Sequence, residues 1–279
     1  MSNAINIQTY PNIFDTFKNH YQNMVADYQK NPSRLSYQRF CDITNRAKCP
    51  LSCANQVQFY NAAFAMRHYQ SFMPLLSENA RISGDGSLSL NIIDYGCGQG
   101  LATLAMFDFI AKYMIHDMVR PSIHVHLIEP SSITLAIAKE LVTSRAHVLG
   151  FDLVLTSQNT ELKYTRLPNS MKQNDHQTCH LFCNVLDIIE VQLSLEPVVR
   201  EMNDIGGQSF VLACSPNYQE ARKGFCHLSA LWMHNANPDI KNKWIEHYSY
   251  NITQNLWLNQ QAKSIQMVLV QDEAYRQAA

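Results

Sequence analysis

Asp94, Gly96, Gly98 and Gly100 stand at alternate positions in Ile92-Ile93-Asp94-Tyr95-Gly96-Cys97-Gly98-Gln99-Gly100, a spacing suited to holding a ligand by the main chain. A glycine carries no Cβ, so such a turn can take φ values closed to other residues and let a ligand press against backbone N–H groups. Those groups converge where a helix begins, and Leu101-Ala102-Thr103-Leu104-Ala105-Met106-Phe107 has helical spacing. Downstream, Ser122-Ile123-His124-Val125-His126-Leu127-Ile128-Glu129-Pro130 reads as a second strand with a carboxylate at its end. In an open parallel sheet ligands bind beyond the carboxyl ends of the strands, where a carboxylate can accept hydroxyls. The bland readings are a tight turn that binds nothing and a glutamate that charges the next helix N-terminus.

Spacing separates two kinds of nucleotide site. The dinucleotide fingerprint G-x-G-x-x-G would place a third small residue at 101, where this chain has Leu101. The pattern D-x-G-x-G-x-G resembles instead the first motif of class I S-adenosylmethionine-dependent methyltransferases. The resemblance is specific over about 88–190 and architectural elsewhere. It implies S-adenosylmethionine as cofactor, with Asp94 orienting the loop and the cofactor's amino-acid end. Gly96, Cys97, Gly98 and Gly100 would close on it, Glu129 would hold the ribose, and Pro130 would also contact the cofactor. Glu129 stands 29 residues after Gly100, beyond the roughly 20 of dinucleotide folds, and a helix at about 101–118 takes up the difference.

The segment His180-Leu181-Phe182-Cys183-Asn184-Val185-Leu186-Asp187 resembles the family's fourth strand and the loop edging the transfer site. It lacks the Asn/Asp-Pro-Pro-aromatic run of enzymes acting on nucleobase or glutamine amino groups. Asn184 is a candidate cofactor contact, and Asp187 and His180 are candidate catalytic residues; Asn184 and Asp187 read equally as turn residues after a buried strand. Tyr60, Arg67 and His68, beside the apolar stripe of a helix at 56–76, are candidate substrate contacts or a solvated face. Tyr218, Phe225, Trp232, Trp244, Tyr248 and Tyr250 would line an acceptor pocket or, for most, pack in the core. The third strand, around 151–157, marks no adenine-recognising residue, since Asp152 comes too early and neither Gln158 nor Asn159 stands out.

Two cysteine–histidine groups invite a zinc reading. Cys41, Cys49 and Cys53, with His68 beyond, lack the paired C-x2-C knuckles of structural zinc. His176, Cys179, His180 and Cys183 fall in or beside a strand, where alternation sends Cys179 and Cys183 to one face and His180 to the other. Ordinary packing is the better account of both, and no metal is expected.

With 279 residues, 46% of them hydrophobic, the chain can bury a full core. A net charge of −1, without a strong basic excess, disfavours nucleic acid as partner. The first residues lack the basic and apolar regions of a signal peptide, and no apolar run reaches the roughly 18 residues a membrane span needs. Eight cysteines, one inside the glycine loop, fit a reducing compartment, so a cytoplasmic location is expected; a protein exported into another cell's cytoplasm would look the same.

These residues need a scaffold, and the chain alternates as one. Mixed helical spacing over 12–30 and 34–47, then the clear stripe at 56–76, gives an N-terminal helical region, 1–87, as lid or substrate cap. Strands follow at 89–95, 123–129, 151–157, 179–185 and 208–214, with helices at 101–118, 132–146 and 194–204. A polar stretch from Lys163 to Gln177, a helical section at 218–246 and final strands at 249–258 and 264–271 complete 88–279. This is an α/β, doubly wound, Rossmann-like, seven-stranded and mostly parallel sheet, and the resemblance implies its C-terminal antiparallel hairpin. The expected function is methyl transfer from S-adenosylmethionine, with a small-molecule acceptor favoured and acceptor identity and oligomeric state left open. The alternatives are a protein or RNA methyltransferase recognising its target through the helical region, a catalytically silent cofactor-binding module, and aminopropyl transfer using Asp187 and Glu190.

Overall fold

The structure, a computed structural model, describes residues 13–30, 35–79, 89–113, 121–172, 176–205, 207–235 and 237–271. Among the described residues seven strands form one sheet: β1 (Ser89–Tyr95), β2 (Ser122–Ile128), β3 (Asp152–Gln158), β4 (Gln177–Cys183), β5 (Ser209–Pro216), β6 (Lys241–Asn251) and β7 (Leu256–Gln271). Their order is β3-β2-β1-β4-β5-β7-β6. The first five are parallel, and β7 enters antiparallel between β5 and β6.

Strand alternation builds two cores. Leu90 and Ile92 of β1 face one side, Ile93 and Tyr95 the other. On the first side lie α1 (Ile13–Lys30), α2 (Tyr37–Thr44), α3 (Ala54–Asn79), α4 (Leu101–Tyr113) and α5 (Ser132–Leu149); their apolar residues and that face form a single cluster. Opposite pack the single-turn helices α6 (Asn169–Lys172) and α7 (Ile189–Gln192), then α8 (Leu195–Asn203) and α9 (Gln219–Met233). Helices on both faces explain why the inner strands are apolar runs.

Strand order reverses between β1 and β4, which are hydrogen-bonded neighbours, and that switch point is where an open α/β sheet leaves a crevice. The chain departs from sequence expectation mainly at its C-terminal end. The helical section stops at Met233, and 241–246 is strand; the hairpin turn falls at 252–255, inside the strand expected at 249–258. Residues 114–118 of the fourth expected helix lie outside the described residues. Among the described residues no helix is long and apolar enough to cross a membrane.

Candidate cofactor site

A cavity of about 710 Å³ opens at the carboxyl ends of β1, β2 and β4, in the upper part of the range for small-molecule sites. Gly96, Cys97, Gly98, Gln99, Glu129, Pro130, Cys183, Asn184 and Val185 line its floor, and the segment Asn45–Leu51 with Tyr60 and His68 of α3 lines the roof.

The glycine loop is left-handed at each glycine, with φ of 64° at Gly96, 52° at Gly98 and 77° at Gly100. The surroundings divide their roles. A Cβ on Gly96 would stand 2.7 Å from Val185 Cγ1, and one on Gly100 3.1 Å from Val142 Cγ2. On Gly98 it would meet no protein atom within 4 Å, so Gly98 leaves space open to the cavity while its neighbours seat the loop. Gly100 is absent from the lining and packs against α5.

Glu129 binds this loop from below. Its Oε2 accepts the Gly98 N–H at 2.9 Å and its Oε1 the Ser131 N–H at 2.9 Å. One carboxylate thus ties the end of β2 to the glycine turn and to the start of α5, where Ser131 Oγ caps Thr134 N–H. Burial pushes its pKa up against these two N–H donors. Asn159 Nδ2 donates to the carbonyls of Glu129 and Pro130 at 2.8 and 2.9 Å, so Asn159 braces the same turn.

Asp94 is buried beneath the loop, outside the cavity lining. Its Oδ2 accepts Thr103 Oγ1–H at 2.8 Å, and burial raises its pKa to about 7. In this position Asp94 fastens the start of α4 to the end of β1.

Sequence reasoning overlooked Gln99. Its side chain is 1% exposed, and neither amide atom has a hydrogen-bond partner among the described residues. A buried amide without partners is costly and offers both a donor and an acceptor at the cavity. Its place inside the glycine loop was the available signal. Nor did the sequence mark the Asn45–Leu51 segment for a place over the cavity. Lys48 Nζ binds the Asp187 carbonyl at 3.1 Å and Oδ2 at 3.3 Å, and Ser131 Oγ donates to the Leu51 carbonyl at 2.6 Å. These contacts strap the segment across the cavity.

Of the catalytic candidates, Asp187 is buried beside the cavity, its carboxylate held by Lys48. His180 is elsewhere: buried in β4, its Nδ1 lies 3.0 Å from Tyr95 Oη and its ring meets Tyr95 and Trp232. Strand alternation turns it toward the second core, away from the cavity lining.

Among the substrate candidates, Tyr60 Oη and His68 Nδ1 are 2.9 Å apart in the roof. Burial, then the charge of Arg67, lowers the His68 pKa to about 3, so His68 is neutral; burial raises that of Tyr60. Tyr60, Phe64 and His68 share one face at four-residue spacing. Arg67, about 100° round the helix from His68, does not line the cavity.

Phe225, Trp232 and Tyr250 are core residues, whereas Tyr218, Trp244 and Tyr248 are exposed, and none of the six lines the cavity. Thr160, Glu161, Leu162 and Tyr164 form one wall. Leu162, Leu167 and Met171 bury the stretch that composition marked as polar, and Glu201 accepts Leu167 N–H at 2.9 Å. Among the described residues no group of three or more His, Cys, Asp or Glu gathers as for a metal ion.

No family model matches the chain, and no curated protein matches it. Among solved structures it is similar to a precorrin-6y C5,15-methyltransferase from Geobacter metallireducens, at 9% identity over 72% of this chain and 85% of that one, with a TM-score of 0.40. A SAM-dependent methyltransferase from Methanosarcina mazei gives 12% identity, 65% and 92% coverage and a TM-score of 0.38. A glycopeptide N-methyltransferase solved with S-adenosyl-L-methionine gives 9%, 83% and 82%, and 0.35. Likenesses this remote carry no argument about activity, and the fold rests on the sheet order itself. In strand order and in the loop after its first strand, the chain has the doubly wound architecture that its resemblance to class I S-adenosylmethionine-dependent methyltransferases implies.

Proposed function

We propose that this chain is a methyltransferase that takes its methyl group from S-adenosylmethionine and gives it to a small-molecule acceptor. The observation that carries the reading is the junction of Gly98 and Glu129. An open glycine and a carboxylate at the end of β2 are hydrogen-bonded to each other at the floor of a large cavity. The residues fit the cofactor: Glu129 keeps lone pairs to accept ribose hydroxyls, the Gly96–Gly98 main chain admits close approach, and the orphaned Gln99 amide gains a partner. Asn184, left-handed at φ 58°, is positioned to contact the same ligand. Bound there, the cofactor would supply an electrophilic methyl on a sulfonium.

The protein's part is then placement and exclusion of water. The Asn45–Leu51 strap covers the cavity, and we read residues 1–87 as its cap. Tyr60 and neutral His68 offer the acceptor a hydrogen-bonding pair, and Asp187 orients the strap through Lys48. The near-neutral chain favours a small molecule over nucleic acid.

Calorimetry with S-adenosylmethionine and S-adenosylhomocysteine tests the reading. Micromolar binding by the natural chain, weakened by Glu129→Ala and by Gln99→Leu, is expected. Absence of binding by a well-folded natural chain would overturn it.

A further inference from the structure

We propose that Cys183 and Cys214 are a redox-active dithiol at the cavity floor, a site of reversible disulfide formation entered through Cys183. The two are register partners at the ends of β4 and β5, with Sγ atoms 3.4 Å apart. Adjacent strands run about 4.7–4.9 Å apart, inside the roughly 4.4–6.8 Å Cα separation that disulfides span. Closing the bond to about 2.0 Å asks for side-chain movement of about 1.4 Å in total and no change of register. Among the described residues no other pair of cysteine sulfurs is in hydrogen-bonding contact.

Access differs between the partners. Cys183 is partly exposed and lines the cavity, whereas Cys214 is fully buried. Cys183 is therefore the attacking thiol and Cys214 the resolving one. With a small disulfide as oxidant, Cys183 gives up its proton, attacks one sulfur and expels one small thiolate. Cys214, deprotonated in turn, attacks the Cys183 sulfur of the mixed disulfide and expels the second. Two electrons pass to the reagent, and the two protons end on its two thiols. The hydrogen bond with Cys214, then burial, raises the Cys183 pKa well above that of an ordinary thiol, so exchange is slow near neutrality and quickens with rising pH.

The bond alters the cavity through Asn184. Its Nδ2 donates to Cys183 Sγ at 3.2 Å, and its backbone N–H donates to the Cys214 carbonyl at 2.8 Å. Drawing Sγ toward β5 takes the acceptor away from the Asn184 amide. This coupling, unlike the dithiol chemistry, rests on the cofactor reading above.

The 279-residue chain is treated with glutathione disulfide in mildly alkaline buffer, alkylated after denaturation and mapped by mass spectrometry. The exposed Cys49 and Cys53 report that the reagent is active. The expected product is a Cys183–Cys214 linked peptide that dithiothreitol reverses. Cys214→Ser, still folded by circular dichroism, is expected to stop at a mixed disulfide on Cys183, and Cys183→Ser to leave Cys214 unmodified. Both thiols remaining alkylatable in the natural chain would overturn the dithiol, and modification of Cys214 in Cys183→Ser would overturn entry through the cavity. Oxidation is expected to weaken S-adenosylmethionine binding about fivefold, the loss of one hydrogen bond; equal affinity would overturn the coupling. Absence of binding by the reduced protein would overturn the cofactor reading and with it the coupling, while the peptide map alone decides the dithiol.

Discussion

At Gly98 the left-handed backbone and the open space above it have separable consequences. An alanine there brings strain of about 1–2 kcal/mol but touches no protein atom within 4 Å, so the methyl enters the cavity. Gly98→Ala is expected to lose about 1–2 kcal/mol of stability in urea denaturation and at least about tenfold in S-adenosylmethionine affinity by calorimetry. Gly96→Ala drives its methyl into Val185, 2.7 Å away, and is expected to lose about 1–3 kcal/mol more in stability from overpacking. Equal stability of the two variants would remove the division of roles. Asp94 makes a different prediction. Its folded pKa of about 7 lies above the ordinary 3.8, so across that window the folded chain holds a proton that the unfolded chain releases. Stability contributed by the protonated form is therefore lost as pH rises through the window. Asp94→Asn cannot ionise, and its stability relative to the natural chain is expected to rise by on the order of 3 kcal/mol from about pH 4 to pH 7. Urea titrations at several pH values check this, and a constant difference would contradict it.

Elements whose patterns were local were legible in the sequence; those that depended on partners were not. The strand, glycine turn and helix of β1 and α4 could be read because apolar run, glycines and helical spacing follow one another within twenty residues. In β6, Ile245, His247 and Ser249 are buried while Trp244, Glu246 and Tyr248 are exposed. A true period-2 strand thus carries polar residues inside and aromatics outside, and reads as a mixed helix. Its turn lacks the glycine signal, since Asn255 takes the left-handed position at φ 57° and Asn251 Oδ1 accepts Gln254 N–H at 3.0 Å. The strap was illegible because its meaning lies in contacts across 80 and 139 residues, to Ser131 and Asp187. Asn45, Arg46 and Ala47 take φ of 49°, 59° and 65° in succession, a conformation costing roughly 1–2 kcal/mol at each of Arg46 and Ala47, and its tethers hold it there. Lys48→Met removes both contacts to Asp187. If that ion pair contributes about 1 kcal/mol, the opened strap becomes about fivefold more populated. Tryptic cleavage after exposed Arg46 is expected to quicken by that factor, and an unchanged rate would show that Lys48 does not hold the strap.

For the whole molecule, the question raised by a helical region followed by a sheet is whether they are two folding units. Hydrophobic contact answers it. Phe17, Tyr21 and Val25 of α1, Phe40 of α2 and Phe59, Met66 and Phe72 of α3 belong to one buried cluster with Ile92, Val125, Leu181 and Leu212 of the sheet. Polar contacts cross the same boundary: Tyr21 Oη, which within the helical region donates to the Ala62 carbonyl, accepts Tyr250 N–H of the sheet at 3.1 Å, and Gln266 Nε2 donates to the Ser71 carbonyl at 2.9 Å. Removing 1–87 would uncover the apolar face of the sheet beside α4 and α5, a loss no surface polarity offsets, since each square ångström of apolar area returned to water costs about 25 cal/mol. The intact chain is therefore expected to unfold in a single calorimetric transition, and residues 88–279 expressed alone to collapse without a cooperative transition or to aggregate. Two resolved transitions, or a well-folded 88–279 fragment, would show that the helical region is an attached cap. In the expected case the roof and floor of the cavity share one fold, and a saturating ligand will raise the midpoint of that single transition as a whole.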